Sequence, residues 1–191
     1  TGMSLGMAPQ HRPAAQLAAM RSQVVGLAEL VWAAQPDDDL VDTVAEIARL
    51  RATLAAVEAH AIAEADARDL PKTRLHYAST GDWLTHVAGL RRGEGKRRLV
   101  RARALGGPLA RTRQGLLHAE VSPGQVDVIV AAIDRLPSGE LVRARGEKVL
   151  VAEAGRLDGH RFDGGSSDAP NRHAPAQRRR AGHGRPDRSE R

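Results

Sequence analysis

Between residues 40 and 65 the chain repeats Leu40, Val44, Ile47, Leu50, Leu54, Val57, Ala61 and Ala65 at steps of three and four. Apolar side chains at that spacing line one face of an α-helix, whereas a strand would need a period of two. The stripe therefore predicts a long amphipathic helix over about 40–68, capped by Asp38 or Asp39 and stopped near Pro71. A helix of this kind must cover its stripe with other elements, so the rest of the chain has to supply helical partners.

The remaining segments read in the same way. Leu17, Met20, Val24, Leu27 and Val31 predict a first helix over 14–34. Ser79 and Asp82 stand in capping-box spacing ahead of Trp83, Leu84 and Val87, which form the expected buried side of another helix. Gly93 opens a helix whose apolar side is Leu99, Ala102 and Leu105, and "GGP" at 106–108 closes it. A short helix follows at 109–118. In "SPGQVDVIVAAIDRL", Ser122 is the expected cap, Pro123 the first helical residue and Gln125 the far side of the box. A last helix over about 139–157 carries Leu141, Val149, Leu150 and Ala154. The fold class expected is all-α, with six to seven helices.

Composition agrees with this and excludes several classes. Aromatics make up 2 % of the 191 residues, so the core must come from Leu, Val, Ile and Ala, which suits close-packed helices. With no cysteine there is neither a disulfide framework nor a thiolate metal site. No apolar run reaches bilayer length, and the N-terminus lacks the order of a signal peptide, so a cytoplasmic protein without a membrane partner is expected. Residues 1–13 read as a flexible start, with Met3 or Met7 as candidate initiators. From Gly159 the text contains no Leu, Ile or Val and turns to Arg, Gly, Pro, Ala, Ser, Asp and His. Residues 159–191 are therefore expected to be a disordered basic tail, either genuine or derived from a frameshift after Asp158.

The stretch "GLRRGEGKRRLVRARAL", residues 89–105, invites three readings. A phosphate-binding loop fails, because Leu90 stands where its first glycine belongs, Arg97 where Ser or Thr should hold magnesium, and no strand precedes it. A polyanion surface fares better. Arg91, Arg92, Lys96, Arg97, Arg98, Arg101, Arg103, Arg111 and Arg113 face a single acid, Glu94, in 23 residues. That local excess is larger than the formal +6 of the whole chain, so the rest is slightly acidic and the molecule is dipolar. Such a helix could lie along phosphates and release counterions without reading bases. The third reading is a solvated helix face, its arginine stems covering apolar surface. A helix-turn-helix is allowed by the length of the joint at "GLRRGEG".

Catalytic signatures are absent from the sequence. The histidines show no metal-ligand spacing. The pairs His60–Glu64 and Asp82–His86 suit surface links or caps, and Ser122 is explained by capping. No catalytic residue, metal ligand, cofactor or small-molecule substrate is expected.

Three segments carry a family resemblance: "LAAVEAHAIAEADARDL", "ASTGDWLTHVAGLRRGEGKRRLVRARAL" and "VSPGQVDVIVAAIDRLPSGELVRARGEKVLVAEAGRLD". Together, in this order, they resemble the mycobacterial 13E12-repeat proteins, which carry the helical domain of unknown function 222. The resemblance covers about residues 15–158. In full-length relatives this helical region precedes an HNH nuclease domain. The resemblance thus implies a helical accessory module, here over 14–158, of an endonuclease-like protein. The tail offers no HNH residue to match, so it implies a truncated chain without nuclease activity.

Three functional readings remain. The first is a non-catalytic module that binds DNA non-specifically through the nine cations of 91–113. The second is a protein-interaction or oligomerisation scaffold, self-associating through the 40–68 helix. The third is a non-functional truncated remnant.

Overall fold

The computed structural model describes residues 12–162. Eight α-helices are present among them: α1 (Pro13–Leu27), α2 (Asp37–Ala67), α3 (Leu70–Thr73), α4 (Thr80–Val87), α5 (Glu94–Gly106), α6 (Ala110–Leu117), α7 (Pro123–Asp134) and α8 (Glu140–Phe162). One 3₁₀ turn, Trp32–Ala34, lies between α1 and α2. There is no strand among the described residues, and the chain is all-α as expected. Residues 1–11 and 163–191 lie outside the described residues, and with them nearly all of the expected flexible start and basic tail.

Local chemistry sets most helix starts. Ser122 Oγ accepts from the Gln125 amide at 3.3 Å while Gln125 Oε1 accepts from the Ser122 amide at 2.6 Å, a complete capping box. Ser79 Oγ accepts from the Asp82 amide at 3.1 Å and donates to the Asp82 carboxylate at 2.7 Å. Three aspartates, Asp37 to Asp39, fill the first turn of α2, where carboxylates complement the helix dipole.

The boundaries depart from expectation in three places. The first helix ends at Leu27 rather than 34, and the chain passes through a turn and Trp32–Ala34 before α2. Pro71 does not stop the long helix. Asp69, at φ 50°, turns the chain after Ala67, and Pro71 opens the added helix α3, where its missing amide is no loss. The last helix runs on to Phe162 rather than ending near 157.

The core forms where α2, α5, α6, α7 and α8 meet. Its largest fully buried side chains include Leu105, Leu116, Val121 and Val126. Leu99, Ala102 and Leu105 are buried as the spacing of α5 predicts, and on α4 Leu84 is buried with Trp83 packed behind it. Val87, Leu141 and Val149, expected inside, are exposed, whereas Ala154 is buried and Leu150 partly so.

The largest correction concerns α2. Its buried residues are Ala52, Ala56, Ala59 and Ile62, not the Leu/Val stripe. Val44, Ile47, Leu54 and Val57 are exposed. The alanine face prevails because it lets helices approach closely: a methyl built on Gly106 of α5 would come within 2.9 Å of Ala63 Cβ. No residue of α2 before Ala52 is buried, and neither is any residue of α1. Neither stretch contributes to the core.

Candidate nucleic-acid interface

The basic stretch begins in the connection Ala88–Gly93 and continues along α5. That connection turns through two left-handed glycines, Gly89 at φ 58° and Gly93 at φ 83°, conformations that side chains bearing a Cβ rarely adopt. It is longer than the three- or four-residue turn of a helix-turn-helix. α4 and α5 nevertheless meet at close range. A methyl on Gly95 would stand 2.2 Å from the Gly81 carbonyl oxygen and 2.4 Å from Thr85 Oγ1. Glycine at 95 is what allows α5 to cross α4 there and present its N-terminal end.

Eight of the nine expected cations fall into two groups. Arg98 donates to Glu58 at 2.6 Å and lies 3.5 Å from Glu94. Arg101 makes a forked pair with Asp127, at 2.7 and 2.6 Å. Arg103 makes another with Asp66, at 2.7 and 3.1 Å, and Asp66 also accepts from Thr80 Oγ1 at 2.8 Å. Hydrogen bonding from Arg103 holds the Asp66 carboxyl below its ordinary 3.8, against the opposite push of burial, and the same pairing raises Arg103. Arg113 donates to the Leu105 carbonyl at 3.3 Å, satisfying the end of α5. These four arginines join α5 to α2, α4, α6 and α7.

Arg91, Arg92, Lys96 and Arg97 form the second group. All four are exposed, and none has a hydrogen-bond or ion-pair partner among the described residues. They cluster within seven positions around Gly93, at one end of α5. Arg111, also exposed, stands on α6 beyond the other end of α5.

A groove of about 370 Å³ runs between α5 and α7 beside this cluster. Lys96 and Arg97 stand on its rim, Val100, Val130 and Ala131 on its walls, and Asp134 among its lining residues. Sequence reasoning missed the groove, since its two walls lie some thirty residues apart and neither carries a motif.

The expected histidine pairs take other partners. Glu64 pairs with Arg68 at 2.5 Å rather than with His60. His86 Nδ1 meets the Tyr77 hydroxyl rather than Asp82, whose carboxylate is held by Ser79.

The model of a family described as a domain of unknown function, DUF222, matches residues 41–180, a span that starts inside α2 and leaves α1 outside. No curated protein matches the chain, and no solved structure does.

Proposed function

The chain belongs to the DUF222 family, and from that premise we propose that its helices form a non-catalytic module that binds DNA, or another polyanion, through its phosphates. The observation that carries this reading is the separation of the cations. Arg91, Arg92, Lys96 and Arg97 are exposed together at one end of α5 with no partner among the described residues, while Arg98, Arg101 and Arg103 are held by Glu58, Asp127 and Asp66. A cluster without internal partners keeps its full attraction for phosphate, whereas a paired arginine must first give up a carboxylate. Glu58, Asp66, Glu94 and Asp127 are likewise committed to ion pairs, which favours a structural role for them over a catalytic one. The resemblance to 13E12-repeat proteins, whose helical region precedes an HNH domain, agrees with a module that assists a nuclease.

The test is equilibrium binding of a fluorescent duplex of arbitrary sequence across a salt series. If four phosphates are neutralised, log K should fall by about 3–4 per tenfold rise in salt. The quadruple change Arg91→Ala, Arg92→Ala, Lys96→Ala, Arg97→Ala should abolish most of that slope. An unchanged slope, or no binding at low salt by the parent chain, sinks the proposal. Incubation with supercoiled DNA and magnesium or manganese should leave it unnicked.

A further inference from the structure

Half of α2 stands clear of the helical body. The helix is about 46 Å long at 1.5 Å per residue, yet its first buried residue is Ala52. Over 37–51 none of its side chains is buried, and a helix of that length without tertiary packing is marginal in water. The row Leu40, Val44, Ile47, Leu50, Leu54 and Val57 lies about 140° round the helix from the buried alanine face. Val44 is 69 % exposed, and Ile47, Leu54 and Val57 are 41, 37 and 41 % exposed, so no described residue buries them.

We propose that this row is a self-association surface, on which α2 of a second copy of the chain packs antiparallel about a two-fold axis between Ala48 and Arg49. Three features of the helix select that occupant. First, the row is nearly symmetric about this point: Leu40 falls opposite Val57, Ile47 opposite Leu50, and Val44 within one residue of Leu54. An isologous interface requires such self-complementarity. Second, charge decides the direction. Asp37, Asp38, Asp39 and Asp42 crowd the start of α2, and a parallel pair would stack them against themselves. Third, the antiparallel pair carries those carboxylates alongside turns 55–60 of the other copy. There Arg97, without an ion-pair partner among the described residues, lines a recess with Ala55 and with the paired Glu58 and Arg98. Arg97 also belongs to the exposed cation cluster, but the apolar row does not, so the oligomeric state tests this inference independently of the polyanion reading.

Light scattering of the full chain over micromolar to hundreds of micromolar should show a concentration-dependent rise from 20.4 kDa toward twice that mass. Val44→Glu with Leu54→Glu should hold the chain at one copy, with a loss of helical circular dichroism no larger than residues 37–51 can account for, because neither side chain is among the buried residues. A one-copy mass at every concentration, or a disperse mixture of larger species, overturns the proposal. The chain has no cysteine, so register is testable directly. A Leu40→Cys chain mixed with a Val57→Cys chain should form the mixed disulfide under mild oxidation. Each variant alone should not, its cysteines being about 25 Å apart along the axis. Like-with-like disulfides in place of the mixed one overturn the antiparallel arrangement.

Discussion

The carboxylate of Glu147, on α8, accepts hydrogen bonds from both the backbone amide and the hydroxyl of Thr112, on α6, at 2.8 and 3.0 Å. Both residues are buried. Thr112 sits in the first turn of α6, whose own N-cap, Leu109, offers no side-chain acceptor. A residue thirty-five positions away thus caps the helix and locks α8 onto the body. Glu147→Gln keeps an acceptor oxygen and should cost little. Glu147→Leu leaves the buried amide of Thr112 without a partner and should lower unfolding free energy by about 1–3 kcal/mol in urea titration. Equal effects of the two changes would refute the capping role.

Gly95→Ala should be among the most damaging single changes in the chain. The added methyl would meet the Gly81 carbonyl, a backbone atom that cannot swing aside, so α4 and α5 must separate. A loss of about 3 kcal/mol is expected, measured by chemical denaturation. Gly124→Ala, where a Cβ meets nothing within 4 Å, should be tolerated and serves as the control.

Asp66 should make stability depend on acid. Its folded carboxyl titrates below the ordinary 3.8 because Arg103 hydrogen-bonds its charged form. The contribution is therefore complete above the unfolded value and is lost as pH falls through the lower folded one. Thermal melts of the parent chain should weaken below about pH 4 more steeply than those of Asp66→Asn. Parallel pH profiles for the two would remove Asp66 as the cause.

Arg101 and Arg97 share one face of α5 yet should respond oppositely. Arg101→Ala breaks the forked pair with Asp127 and should cost about 1 kcal/mol of stability, a modest figure because Asp127 is half open to water. It should leave the salt slope of duplex binding unchanged. Arg97→Ala should leave stability unchanged and lower the slope by about 1. Reversed outcomes would mean that the ion pair opens on binding.

Much of the fold was legible because its signals are local. The box at Ser122 and Gln125, the cap at Ser79 and the Leu99, Ala102, Leu105 face of α5 each depend on residues within a turn or two of one another. The candidate interface was half legible. Charge density picked out nine cations, but only their distant partners, Glu58, Asp66 and Asp127, divide those bound into the body from those left open. No spacing rule reaches across forty positions to make that division.

The same limit separates the two faces of α2. Period alone established a long helix with an apolar row, because helical geometry follows from neighbouring residues. Which face turned inward was settled by tertiary packing. Alanines at 52, 56 and 59 admit α5 and α6 at short range, and the bulkier Leu and Val side chains remain outside. Size ranks those larger residues as the better core, but burial goes to whichever face its neighbours can approach, and those neighbours come from the far side of the sequence.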